Sequence, residues 1–206
     1  WAKYDYREVA TPEGFAANPT LVHEFYNTRR NALHTVQPNA AHIALADLER
    51  GLDARGGRLT LITQNVDDLH ERGGVKSLLH MHGELAKVEC THCGTVSDWR
   101  DDLSVELACP ACRNCGGMRP HVVWFGEMPL YLEEIDEWLG RADLFVAIGT
   151  SGQVYPAAGF VAAASGAGAH TLEINLDPSD VSPAFDEHIL GPATETVPAW
   201  VARIME

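Results

Sequence analysis

The sequence is short of positive charge. Its 206 residues carry 15 Lys plus Arg against 29 Asp plus Glu, a formal net charge of −14, so a polyanion meets net repulsion. Nucleic acid and anionic membrane are therefore not expected as partners, although one local basic pocket can still hold an anionic group. Long apolar runs are missing too. Nothing approaches the roughly 18 to 20 residues of a membrane-spanning helix, and Trp1 to Val9 lack the basic-then-apolar order of a secretory signal. The expectation is a soluble, cytoplasmic chain. Cysteine is absent from both flanks, because all five lie between Cys90 and Cys115. An odd number crowded into one stretch suits metal binding and argues against a disulfide framework. With 46% hydrophobic residues, the chain can bury one main core and carry a small insert.

Apolar residues recur at helical spacing from Asn18 to Gln37 and from Pro38 to Arg55, with Pro19 and Pro38 where a first turn tolerates proline. Two amphipathic helices follow. The runs Arg58 to Thr63 (RLTLIT) and Asp143 to Ile148 (DLFVAI) are short, apolar and bounded by glycine or polar residues, and His170 to Ile174 (HTLEI) follows an alanine-rich helical stretch, Pro156 to Ala167. Strands separated by helices predict an α/β fold with a parallel sheet. A last helix is expected over Pro198 to Glu206.

Cys90-x2-Cys93, an 18-residue gap and Cys112-x2-Cys115 have the spacing by which two knuckles present four thiolates to one tetrahedral zinc. Cys109-x2-Cys112 has the same spacing, so the second pair has an alternative. Cys112 and Cys115 are preferred, because Gly116-Gly117 would supply the tight turn after the knuckle. Four thiolates leave no open coordination position, which makes the expected zinc structural.

Polar side chains gather after the RLTLIT strand, in Gln64-Asn65-Val66-Asp67-Asp68-Leu69-His70. Ligands of open parallel sheets bind outside such carboxyl ends, and amides with a carboxylate suit ribose hydroxyls or a carboxamide. The plain alternative is an Asx-type turn capping a helix. His82-Gly83 sets an imidazole, which titrates near neutrality, beside a residue that allows close backbone approach. His70 and His80 compete for such a role, and among ten histidines many are structural. Gly149-Thr150-Ser151-Gly152 follows the DLFVAI strand and can either cradle a phosphate or serve as an ordinary turn.

Taken in order, TQNVDDLH, HG, the cysteines, RPHVVWFGE, GTSGQVYP and EIN resemble the sirtuin family of NAD-dependent protein deacylases over nearly the whole chain. The resemblance implies a Rossmann-like parallel sheet flanked by helices, formed by 1–89 and 119–206, with a zinc-binding module inserted at 90–118. It implies that Gln64, Asn65 and Asp67 contact nicotinamide and its ribose, and that His82 is the general base. Gly149, Thr150 and Ser151 would line the dinucleotide site, with Asn175 at the adenosine ribose, Ala193 near the adenine, and Leu176 and Asp177 also among the cofactor-binding residues. Val122, Val123, Trp124, Phe125, Gly126 and Glu127 would form a ledge on which a substrate peptide adds as a strand. Tyr26 and Arg29 match the Tyr-x-x-Arg of the class III branch that removes succinyl, malonyl and glutaryl groups. Residues three apart share a helix face, and a guanidinium takes a carboxylate bidentately while a phenol adds a further bond. The alternative is a core tyrosine beside a solvated Arg29 and Arg30.

The implied reaction is attack of the acyl-lysine carbonyl oxygen on the anomeric carbon of NAD, giving nicotinamide and O-acyl-ADP-ribose, with acylated-lysine proteins as partners. Family members open with a Gly-Ala-Gly-x-Ser stretch that binds the diphosphate, whereas this sequence opens at Trp1, past that first strand and phosphate loop. The expectation is the major part of an intact enzyme. Its rival is a catalytically silent, zinc-containing module that binds acyl-peptides or another partner.

Overall fold

The computed structural model describes residues 4–206; Trp1, where the expected Rossmann-like region begins, lies outside them. In chain order the described residues form α1 (Tyr6–Val9), α2 (Pro12–Ala17), α3 (Pro19–Ala32), α4 (Ala40–Ala54), β1 (Leu61–Thr63), α5 (Leu69–Gly73), β2 (Leu78–His80), β3 (Gly83–Cys90), β4 (Val96–Asp98), β5 (Met118–Val122), α6 (Leu132–Leu139), β6 (Leu144–Ile148), α7 (Phe160–Gly166), β7 (His170–Asn175), β8 (Glu187–Leu190) and α8 (Ala193–Met205). None of these helices is long and apolar enough to cross a membrane.

The chain divides into two compact units. The first comprises 4–37, 63–68 and 80–130, and the second 38–62, 69–79 and 131–206. This differs from a boundary at 89 and 119, since the unit holding the cysteines also takes α1 to α3. The reason is the apolar face of α3. Asn18 caps the helix, its side chain accepting from the Leu21 N–H at 3.1 Å, and Val22, Phe25 and Tyr26 bury against Leu85, Val122 and Trp124. Arg30 is buried with them, donating from Nε to the Leu85 carbonyl at 2.8 Å and from Nη1 to Asn27 at 2.8 Å. It is not a solvated neighbour of Arg29. In this unit β3 is the middle strand of an antiparallel sheet ordered β4-β3-β5.

The second unit carries the parallel sheet β6-β7-β8. Leu172 and Ile174 of β7 pack with Ala44, Leu45 and Leu48 of α4 and Val197, Trp200 and Val201 of α8. Glu49 is buried on α4, where its carboxylate accepts the N–H groups of Lys76 at 2.9 Å and Ser77 at 2.6 Å. The RLTLIT run contributes only Leu61–Thr63, paired with β2 in a separate two-stranded sheet. The last helix opens at Ala193 and runs through Pro198. Proline favours a first turn, yet burial of Val197 together with Trp200 and Val201 extends the helix ahead of it.

Gly83 holds the β3–β5 junction together. Its φ is +78°, and a Cβ there would lie 2.2 Å from the His121 carbonyl oxygen, so both the dihedral and the spacing require glycine. Gly83→Ala is expected to destabilise the protein by about 2 kcal/mol or more, read as a lowered urea midpoint at unchanged slope.

Candidate functional site

In the first unit, His82 and the polar segment after β1 come together through their backbones. The Met81 N–H donates to the Thr63 carbonyl at 3.1 Å and the Leu85 N–H to the Val66 carbonyl at 2.7 Å, which brackets the imidazole. His82 Nδ1 lies 3.1 Å from the Gln64 carbonyl oxygen. A carbonyl only accepts, so Nδ1 carries the proton and Nε2 keeps a lone pair. Burial lowers the His82 pKa, and the Gln64 carbonyl partly offsets this. The result is a neutral imidazole able to accept a proton near pH 7. His80 is turned to the Asn65 carbonyl at 3.3 Å, and His70 lies on α5 in the second unit. Gln64, Asn65 and Asp67 all sit in the turn beneath His82 in the first unit.

The Val122–Glu127 segment leaves β5 directly opposite. Gly83 pairs with Val122, and the Val123 N–H donates to the His82 carbonyl at 2.8 Å. Beyond Val122 the segment is a turn and not a strand: Glu127 N–H donates to the Trp124 carbonyl at 3.0 Å, with Gly126 at φ +91°. The Phe125 N–H is engaged by the Ala10 carbonyl at 3.0 Å, while the Phe125 ring is 53% exposed. Glu127 faces inward. Arg119 donates to both its carboxylate oxygens at 2.6 and 2.8 Å, and the Trp124 N–H donates to it at 2.8 Å. Although burial raises it, these bonds hold the Glu127 carboxyl below the usual range. Arg119 was not legible as a site residue, since nothing in the spacing pairs it with Glu127 across the turn.

Tyr26 is buried, and its hydroxyl oxygen accepts from Trp124 Nε1 at 2.9 Å. Three residues on, the Arg29 guanidinium lies over the Phe25 ring, 3.3 Å from its centroid, and donates to the Phe25 carbonyl at 3.2 Å. Burial lowers the Arg29 pKa, opposed by Tyr26 and Tyr4. Tyr26 and Arg29 thus stand three residues apart on α3, one buried and one half-buried.

In the second unit, Gly149, Thr150 and Ser151 follow β6 at the carboxyl end of the parallel sheet. Gly149 has φ +63°, and a Cβ there would meet nothing within 4 Å. This open, left-handed strand end suits the close approach of a dinucleotide. Asn175 ends β7 with its Nδ2 donating to the Thr150 carbonyl at 2.8 Å and to Glu173 at 3.1 Å. Glu173, missed in the sequence, is fully buried and also accepts from the Ser179 and Ser182 hydroxyls. Burial raises its pKa, but these donors outweigh it and keep the carboxyl below its usual range. An acidic residue inside the apolar HTLEIN run was the available signal. Leu176 and Asp177 are exposed beyond Asn175, and Ala193 opens α8.

The cysteines bring a correction. The sulfurs that converge are those of Cys90, Cys93, Cys109 and Cys112, all within 4.8 Å of one another, and Cys115 is outside the group. The two knuckles repeat one backbone pattern. Gly94 N–H donates to the Cys90 carbonyl at 2.7 Å and Arg113 N–H to the Cys109 carbonyl at 2.9 Å, while Cys90 N–H and Cys109 N–H donate to Thr95 and Asn114 at 3.0 and 2.9 Å. The residue after each second cysteine is left-handed, Gly94 at φ +68° and Arg113 at +65°. Arg113 thus takes the turn that glycine was expected to mark, and Gly116 serves the bridge between Ala108 and Cys115. A zinc–thiolate tetrahedron with bonds of about 2.3 Å has edges of about 3.8 Å. Cys90 and Cys112 stand 3.7 Å apart and Cys93 and Cys109 3.8 Å, so the donor set fits structural zinc. The Thr95 hydroxyl and N–H draw the Cys93 thiol down to about 6, and the Cys112 N–H lowers Cys109.

Over residues 1–156 the sequence matches the Sir2 family. The chain belongs to the Sir2 family. It is 58% identical over 205 residues to an NAD-dependent protein deacylase of Caulobacter vibrioides, covering 100% of this chain and 86% of that one. A deacylase of the same name from Salmonella typhimurium is 52% identical over 208 residues, covering 100% and 75%. A solved Sir2 homologue in complex with NAD matches with a TM-score of 0.89 at 36% identity, covering 100% of this chain and 81% of that one. Sir2Tm bound to a propionylated peptide matches at 0.80 and 26% identity, covering 98% and 84%.

In this Sir2 chain the choice between Cys109 and Cys115 is open to direct measurement. Cys109→Ser is expected to reduce bound zinc from one equivalent to near zero and to melt the first unit, whereas Cys115→Ser retains one equivalent. Elemental analysis of the purified variants reads both outcomes.

Proposed function

We propose that this Sir2 chain is an NAD-dependent protein-lysine deacylase that prefers succinyl and malonyl groups to acetyl. The activity rests on family membership and on full-length identity of 52–58% to proteins named NAD-dependent protein deacylase. The preference rests on one observation, the Arg29 guanidinium and the buried Tyr26 phenol one turn apart on α3. An acetyl group offers no charge to offset desolvation of that arginine, while a terminal carboxylate does.

Bound NAD supplies an electrophilic sugar carbon with nicotinamide as leaving group. Gln64, Asn65 and Asp67 are the side chains of the first unit suited to the nicotinamide and its ribose. Gly149 to Ser151, with Asn175, Leu176, Asp177 and Ala193, are those of the second unit suited to the rest of the dinucleotide. His82, neutral with its Nε2 lone pair free of the Gln64 bond, takes the proton of a ribose hydroxyl. The acylated peptide lies against the segment after Val122, and because the N–H groups of Val123, Trp124, Phe125 and Glu127 are already engaged, the main-chain contacts it makes there fall mainly to carbonyl oxygens, which are indifferent to sequence.

Because the His82 pKa is lowered below 6.5, the neutral base dominates at pH 7. Turnover is expected to stay level above pH 7 and to fall, by one proton, only as pH drops below 6.5. A pH profile of nicotinamide release checks this, and His82→Asn should remove turnover while leaving peptide binding in place. Arg29→Met tests the preference. Loss of a charge-assisted pair of about 1.5 to 3 kcal/mol should cut kcat/KM on succinyl-lysine peptide roughly 10- to 100-fold and spare the matched acetyl peptide. Equal loss on both peptides refutes the preference.

A further inference from the structure

Trp124 lies at the centre of a chain of contacts that the peptide ledge does not require. Its ring face carries the Arg119 guanidinium 3.5 Å from the centroid, its backbone N–H is held by Glu127 at 2.8 Å, and Phe15 packs on it at 5.4 Å. The residue is 3% exposed. Held on these sides, the indole cannot rotate away from α3, and its Nε1 meets the Tyr26 hydroxyl oxygen at 2.9 Å.

That bond has a fixed direction. An indole N–H can only donate, so the Tyr26 oxygen is the acceptor and the phenolic proton must point elsewhere. Burial pushes the Tyr26 phenol up to about 12, against the pull of the Trp124 bond and of Arg29, so the proton is present throughout the working range. A phenol already committed as acceptor on one side is a donor on the other. Beside Arg29 it adds a neutral O–H donor to a cation, a pairing that suits a carboxylate and leaves a neutral acyl end without the charged partner.

We infer that Trp124 is a specificity-determining positioning residue, whose indole N–H fixes the Tyr26 hydroxyl as a donor toward the terminal carboxylate of a dicarboxylic acyl-lysine. The inference rests on the succinyl preference proposed above. Its energetic content is preorganisation. With the indole donor in place the phenol does not have to choose among rotamers, or shed a water, when the carboxylate arrives.

The test is a double-variant cycle on the ratio of kcat/KM for succinyl-lysine to that for acetyl-lysine in one peptide. Trp124→Phe keeps an aromatic ring for Arg119 and removes only the donor. It is expected to lower the ratio about tenfold, as is Tyr26→Phe. The double variant should show the same fall as Tyr26→Phe alone, because the indole acts only through the phenol. Tyr26→Phe leaves the indole N–H buried without an acceptor, so the double variant should also melt higher than Tyr26→Phe alone. An unchanged ratio in Trp124→Phe, or losses that multiply in the double variant, overturns the inference. A purely structural role would depress both substrates together and leave the ratio alone, which also overturns it. Arg29→Met separates the two claims. If it abolishes the preference while Trp124→Phe does not, the Trp124 assignment fails and the succinyl reading survives; if Arg29→Met leaves the preference intact, the succinyl reading itself fails.

Discussion

The first unit depends on one close backbone approach. At Gly83 the β3 chain comes so near the His121 carbonyl that no side chain fits, and on either side of that contact lie His82 and the segment that follows Val122. His82 precedes it, and its own carbonyl accepts the Val123 N–H. The Val122–Glu127 segment departs from the partner strand at Val122. The imidazole and the main chain after Val122 are therefore not positioned separately. They are two faces of one strand pairing, and their separation is set by hydrogen-bond lengths, which vary little.

A second layer of constraint runs through side chains. Arg119, Glu127, Trp124 and Tyr26 form a continuous series of ion pair, charge-assisted hydrogen bond and indole–phenol bond. Trp124 and Tyr26 are buried, so loss of the indole–phenol bond would leave a polar group stranded, while Arg119 and Glu127 are partly exposed. The turn after β5 and the buried face of α3 are thereby linked through side chains. The second unit uses the same device on a smaller scale, where buried Glu173 gathers Asn175, Ser179 and Ser182 around the end of β7.

Much of this was legible in the sequence. The helices over Asn18–Gln37 and Pro38–Arg55, and the strands DLFVAI and HTLEI, follow from apolar periodicity and are found close to where it places them. The cysteine cluster was visible as motif spacing, whereas the association of Gln64 with His82 followed only from the family resemblance. What escaped has physical causes. Two Cys-x2-Cys pairs overlap at Cys112, and the turn rule that favours glycine chose the wrong one, because Arg113 adopts the left-handed conformation instead. Glu127 reads as a peptide contact until Arg119 is seen opposite it, and no periodicity joins residues across a turn. Arg30 reads as a surface cation, whereas three of its donors find backbone or amide acceptors inside the unit. Unit membership was hidden for a similar reason, since α3 joins the cysteine-bearing unit through packing that only three dimensions reveal.

The threading of the two units sets how the protein can be taken apart. The chain passes from one to the other after residues 37, 62, 68, 79 and 130, five crossings in all. Neither unit is a contiguous stretch that could be excised, exchanged with a homologue's or transplanted onto another scaffold. A single cut in any loop leaves both still stitched together, so a nicked molecule would hold its two fragments side by side. New specificities in such an architecture have to come by substitution within each unit, because shuffling of whole modules is closed to it.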